Sequence, residues 1–336
     1  MCAGRLKGQS HGGEGVRGLA SERVEAPFSV RRASVPGILS GMLTLEDLGA
    51  LLEANRGAAA ARVRGFSLRG REFDFNARRA IMGVVNLSAD SWYRESVVLT
   101  AEAAIRRGHV LAAQGADLID IGAESTLAHA ARVDEAAQQS KLLPVVRELA
   151  GAGHLVSVET YNPAVTRACL EAGAAVLNLT GSDRSGEMFR MVAAHGAGVI
   201  LCFVQGENVR EVGDLDLGRD PVGFMRDHFA RQIEQATKCG VERIFIDPGL
   251  GFYYRNLQDS ATRVRHQMRT FLGTFRLRDL GFPVCHALPH AFEYFGEEVR
   301  CAEPFFAVLA SLGRTDLFRT HEVPRTKAVL DTLAVY

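Results

Sequence analysis

From Arg79 onward the chain repeats one pattern: a short apolar run ends in polar residues, and an amphipathic stretch follows. Short apolar runs bounded by turn residues read as buried strands. They fall at 80–86, 117–121, 155–159, 175–178, 198–203, 243–247, 283–287 and 316–320. The clearest helix spans 221–239, with Asp220 as its cap, Pro221 in its first turn and Gly240 after its end. Val222, Met225, Phe229, Ile233 and Ala236 form its apolar stripe. A second helix runs from Thr100 to about Gly115, and a third starts at Pro324. Eight strands alternating with helices over roughly 255 residues match a (β/α)8 TIM barrel, which takes ~250. A doubly wound sheet also alternates, but it usually carries a glycine-rich phosphate turn after its first strand. Here that strand ends in Asn86-Leu-Ser-Ala-Asp90, so the pattern predicts the barrel.

Upstream, apolar residues alternate on both sides of Arg69-Gly70-Arg71 between Phe66 and Phe75, which predicts a β-hairpin. Leucines at 45, 48, 51 and 52 behind Thr44 predict a short helix, a candidate cover for the barrel floor. The first forty residues are glycine-rich, lack apolar periodicity and contain no secretory h-region. The division is therefore a disordered extension at 1–40, a helical lead-in at 41–65 and a barrel at 66–336. The 336 residues are 47% hydrophobic, which supports a large core and excludes overall disorder. The formal net charge of zero gives no electrostatic footprint for nucleic acid or an anionic membrane. No apolar run reaches the about 18 residues of a transmembrane helix. Six cysteines without CxxC spacing argue against a zinc site or a disulfide framework and fit a cytoplasmic protein.

In a barrel, function sits where the strands end at the C-terminal face. The residues there are Asn86 and Asp90; Asp120, Glu124, Ser125 and Thr126; Glu159 and Thr160; Asn178; Gln205; Asp247; and Arg319 and His321. Each has a structural alternative. Asp247 before Pro248-Gly249 suits a turn, Asp120 suits a hydrogen-bonded layer inside the barrel, and Asn178 suits a loop cap. So many polar ends on one face are costly to bury without a ligand or water.

These residues carry a resemblance. Ile81-Met-Gly-Val-Val-Asn-Leu-Ser-Ala-Asp-Ser-Trp92 resembles the first strand and loop of dihydropteroate synthases, written MGILNVTPDSF. Gly115-Ala-Asp-Leu-Ile-Asp-Ile-Gly-Ala-Glu-Ser-Thr126 is similar to GADIIDIGGEST, and Ser157-Val-Glu-Thr160 to SIDT. Ile246-Asp-Pro-Gly-Leu-Gly-Phe252 resembles LDPGIGF, and Phe318-Arg-Thr-His-Glu-Val323 the closing RVHDV. Five motifs in order imply the pterin-binding barrel over about 66–336. That family joins a dihydropterin pyrophosphate to p-aminobenzoate, with pyrophosphate leaving. The resemblance implies that Asp247, Asn178, Glu159 and Gln205 face the pterin. It places Asn86, Thr126, Arg319 and His321 at the pyrophosphate, with Mg²⁺ held through Asn86. Asp247, Asp90 and Arg319 are the implied catalytic residues. A homodimer is implied as well.

The sequence also departs from the family. The lysine of its Ser-Arg-Lys falls on Ala291, and its second-loop arginine falls on Leu127. Glu159 replaces Asp, which keeps the charge and adds a methylene. Tyr253-Tyr254 replaces Gly-Lys, so Phe252, Tyr253, Tyr254 and His290 are candidates for a rewritten acceptor subsite. Three readings follow. The first is a synthase-like transferase with an altered aromatic amine acceptor. The second is a catalytically degenerate pterin-binding paralogue. The third is a methyltransferase using a reduced folate.

Overall fold

The structure is a computed structural model that describes residues 42–88, 97–125, 132–181, 185–218, 220–252 and 254–336. Two helices, α1 (Leu45–Ala54) and α2 (Arg56–Ala59), precede a hairpin of β1 (Phe66–Leu68) and β2 (Arg71–Phe73). Phe66 pairs with Phe73 and Leu68 with Arg71, around the turn at Arg69-Gly70. Both turn residues have positive φ, 49° and 81°, the left-handed pair that a two-residue hairpin turn requires.

Eight parallel strands follow: β3 (Ala80–Asn86), β4 (Leu118–Gly122), β5 (Val156–Thr160), β6 (Val176–Leu179), β7 (Gly198–Cys202), β8 (Arg243–Asp247), β9 (Cys285–Ala287) and β10 (Leu317–Thr320). Their order is β8-β7-β6-β5-β4-β3-β10-β9, and an Ile246–Val284 bridge brings β8 to β9. This is the (β/α)8 barrel that the alternation predicts. The outer helices are α3 (Ala101–Ala113), α4 (Glu135–Gly151), α5 (Pro163–Glu171), α6 (Ser185–Ala194), α7 (Pro221–Lys238), α8 (Ser260–Gly273), α10 (Ala302–Leu312) and α11 (Val323–Leu333). A single turn, α9 (Phe292–Phe295), follows β9. Capping fixes the helix starts. Thr100 accepts from the Ala103 amide at 3.2 Å, and Asp220 from Gly223 at 3.2 Å.

Five strands, β4, β5, β6, β9 and β10, begin one or two residues later than their apolar runs. Pro283 has no N–H, and the Val284 amide donates to Asp316 Oδ2 at 2.9 Å, so β9 starts at Cys285. Asp117 lies just before β4, and its carboxylate anchors the strand's start. It accepts from the Ile81 amide at 3.0 Å and from Arg71 Nη2 and Arg78 Nη2 at 2.6 and 2.7 Å.

The core forms two layers, set by the two faces of each strand. Ile81, Val85, Ile119, Ile121, Val199 and Ile244 face outward and pack with buried residues of the helices. Met82, Leu118, Val176, Ile200, Phe245 and Leu317 have the opposite parity and meet Leu68, Phe73 and Phe75. The hairpin thus plugs the floor, with the Phe66 and Phe75 rings 5.1 and 5.4 Å from that of Phe245. The lead-in helix goes elsewhere. Leu48 and Leu51 pack against the cluster of Phe271, Leu272, Phe306 and Leu309, whose residues belong to α8 and α10. Aromatic residues already seal the floor, which removes the need for α1 to cover it.

Candidate active site

Counting by twos from the apolar floor leads to the last inward position of each strand. These are Asn86, Gly122, Glu159 and Asn178 on β3 to β6, and Cys202, Asp247, Ala287 and Arg319 on β7 to β10. All eight line one cavity of ≈ 420 Å³ at the C-terminal strand ends. The alternation that builds the floor from apolar side chains therefore also gathers the polar ones above it.

Asp120, one inward position below on β4, ties the wall together. It is fully buried. Its Oδ2 accepts from Arg319 Nε at 2.7 Å and from Asn178 Nδ2 at 3.1 Å, and its Oδ1 accepts from Ser157 Oγ at 2.6 Å. Arg319 Nη2 also donates to Glu159. Asn178 Oδ1 accepts from the Cys202 thiol at 3.3 Å. Burial pushes Glu159 up to about 7; Arg319 opposes the shift and Asp120 adds to it. Burial likewise raises Asp247 to about 6, against the Gly249 amide that donates to its Oδ1 at 2.8 Å and the charge of Arg319. Both carboxyl groups therefore titrate nearer to neutrality than they would in water.

A second cluster lies beside Arg319. His321 Nδ1 is 2.8 Å from Glu303 Oε1, and His290 Nε2 is 3.2 Å from the same oxygen. The two rings stand 5.0 Å apart and both line the cavity. Burial opposes ionisation of Glu303, but hydrogen bonds from His290 and His321 hold its carboxyl well below the usual range. On the second strand's loop, Glu124 accepts from Tyr161 Oη at 2.7 Å and faces the buried Arg210 at 3.4 Å.

Of the residues singled out in the sequence, Asn86, Glu159, Asn178, Asp247, Phe252, His290, Arg319 and His321 line the cavity together. Asp90, Thr126, Tyr253 and Leu127 lie outside the described residues. Gln205 is not part of the cavity lining. Its amide donates to the Asp216 carbonyl at 2.7 Å and accepts from the Asp216 amide at 2.8 Å, so it staples its own loop. Tyr254 is buried, and its hydroxyl accepts from the Gln205 backbone N–H at 3.1 Å; it supports that loop rather than an aromatic subsite. Glu303, Arg210 and Arg263 carry no signal in the sequence. Glu303 opens α10, where an acidic residue ordinarily serves the helix dipole in solvent. Arg263 reaches the cavity from α8 and pairs with Glu293.

Comparison with known proteins agrees with this geometry. The family model for pterin-binding enzymes matches residues 82–277, more than half the chain. A dihydropteroate synthase of Mycobacterium leprae is 33% identical over 175 residues. That match covers 51% of this chain and 62% of the relative, so it spans under two thirds of the relative's length. The Xanthomonas albilineans dihydropteroate synthase, solved with 4-aminobenzoic acid, superposes with a TM-score of 0.68 at 29% identity, covering 81% of this chain and 97% of that one. The Thermus thermophilus enzyme in complex with 6HMPPP gives 0.65 at 27% identity, over 81% and 100% of the two chains. With the motif residues gathered at the mouth of a matching barrel, the chain belongs to the pterin-binding enzyme family, as a divergent relative of the dihydropteroate synthases.

Proposed function

We propose that this chain is a dihydropteroate synthase-like transferase of folate biosynthesis. It joins a dihydropterin pyrophosphate to an aromatic amine of the aminobenzoate type, and its acceptor subsite is altered. The observation that carries the reading is the convergence of Asp247 and Asn178 in one cavity, braced by Asp120 and Arg319. A pterin edge presents adjacent donors and acceptors, and a carboxylate beside an amide matches it. The family's reaction breaks the C–O bond to diphosphate, with the electron pair leaving on oxygen. The amine nitrogen then bonds to the methylene and gives up a proton. Positive charge develops on the pterin meanwhile, and an ionised Asp247 stabilises it most in this low-dielectric setting.

Arg319 and His321 supply the donors for the departing diphosphate, with Asn86 and Thr126 beside them in the family pattern. Arg319 does this while also balancing Asp120 and Glu159. Mg²⁺ suits the same end of the cavity. Asn86 and Ser88 line it, and an amide oxygen and a hydroxyl are neutral donors of the kind that fit an ion keeping several of its waters. Bound there, the ion would neutralise diphosphate charge. Asp90 joins this reading as a catalytic group from the first loop. The acceptor meets Phe252, His290 and Ala291, with Tyr253 next in the chain. Without the family lysine, that wall selects by shape and aromatic contact more than by charge. A homodimer belongs to the same reading.

The test is isothermal titration with 6-hydroxymethyl-dihydropterin pyrophosphate and Mg²⁺, followed by p-aminobenzoate and a product assay. Binding that is lost in Asp247→Ala, together with product, is the expected result. Binding without product moves the acceptor to another amine. No binding at all refutes the transferase.

A further inference from the structure

We infer that His290, Glu303 and His321 form a binding site for a divalent first-row transition-metal ion such as Zn²⁺. The three residues come from the loop after β9, the first turn of α10 and the residue after β10. His290 Nε2, Glu303 Oε1 and His321 Nδ1 all lie within 4.8 Å of one another. Their two nitrogen–oxygen separations are 3.2 and 2.8 Å. Tetrahedral ligands at ~2.0–2.2 Å from a metal stand about 3.4 Å apart, so a small adjustment encloses an ion. Two imidazoles and one carboxylate favour Zn²⁺, Mn²⁺ or Fe²⁺ over Mg²⁺ or Ca²⁺, which prefer oxygen alone.

Charge gives the second argument. Glu303 is fully buried, and among the described residues no lysine or arginine pairs with it. Its partners are the two imidazoles, the Thr320 hydroxyl and the backbone amides of His321 and Glu322. A buried carboxylate that no lysine or arginine meets carries a charge that a metal ion between it and the two rings would balance. The carboxylate is also aimed in advance. The Thr320 hydroxyl and the His321 and Glu322 amides, both amides at 3.0 Å, hold Oε2, and Oε1, which the His321 amide also reaches at 3.2 Å, faces the rings. A neutral imidazole can carry its proton on either nitrogen, so each ring can present to an ion the nitrogen that faces Oε1. The flanking cavity, lined by His290 and His321, gives the ion a way in and room for further ligands. The site does not depend on the transferase reading.

Metal-stripped full-length protein, carrying no polyhistidine tag, is titrated with Co²⁺ and followed by visible absorption. Saturable d–d bands at about one ion per chain, displaced by Zn²⁺, are expected from three such ligands and a low coordination number. His290→Ala and Glu303→Gln should each weaken binding by more than ~10–100-fold, the loss seen when only supporting residues of metal sites are removed. Zn²⁺ should raise the melting temperature of the wild type and leave that of His290→Ala unchanged. Asn86→Ala and Asp247→Ala should keep the Co²⁺ bands, which separates this site from the Mg²⁺ position and from pterin binding. Absence of bands, or bands of undiminished affinity in His290→Ala, would overturn the assignment. His290 lies in a loop and settles the matter even where Glu303→Gln does not fold.

Discussion

Asp120 is the group whose removal should be felt most, and two substitutions separate its charge from its hydrogen bonds. Asp120→Asn keeps the shape. Its amide oxygen can take the place of Oδ2, which accepts from Arg319 and Asn178. Its NH₂ then faces Ser157 Oγ, and a hydroxyl can turn to accept. Only the charge opposite Arg319 is lost. Replacing a charge-assisted hydrogen bond by a neutral one should cost about 1–2 kcal/mol. Relief of repulsion against Glu159 and Asp247 offsets part of that. Asp120→Ala removes all three acceptor contacts and leaves the guanidinium, an amide and a hydroxyl facing a cavity in the barrel. Breaking one side of a buried ion pair costs about 3–5 kcal/mol. Urea unfolding of the wild type and both variants at neutral pH gives the two differences from the midpoints and a common slope. Alanine should exceed asparagine by at least about 1 kcal/mol. Equal losses in the two variants would refute the picture of Asp120 as the acceptor that organises the wall.

Two further outcomes follow from the structure. Asp247 titrates at about 6 when folded and near 3.8 when unfolded, so between those values the native state holds a proton that the unfolded chain has released. Stability should therefore fall as pH rises through that window, by up to about 3 kcal/mol, and level off above it. Urea midpoints at about pH 4, 6 and 8 should show a shallower fall in Asp247→Asn, and an unchanged slope would sink the assignment. At the floor, Phe75 is almost fully buried, with its ring 5.3 Å from that of Phe66 and 5.6 Å from that of Phe73. Phe75→Ala should cost about 3–5 kcal/mol in thermal or urea unfolding, and a loss under about 1 kcal/mol would mean that the hairpin is not the plug.

The sequence by itself determined the barrel and the face on which its polar strand ends gather. Strand β3 lies where its apolar run lies, at Ala80–Asn86, and α7 starts behind the Asp220 cap as the stripe and Pro221 require. The parity of a strand is a local property, so Glu159, Asn178, Asp247 and Arg319 could be placed on one face without knowing any contact. The tertiary structure decided what those groups touch. Gln205 was drawn away from the cavity because Asp216, eleven residues on, satisfies both ends of its amide. Tyr254 was buried under the same loop. The partners of Arg319 are 199 and 160 residues away along the chain, and Glu303 meets His321 from another element, 18 residues earlier. No periodicity records such meetings. Local sequence sets the direction in which a side chain points, whereas its partner, and with it its charge state, depends on which distant strand or helix packs opposite.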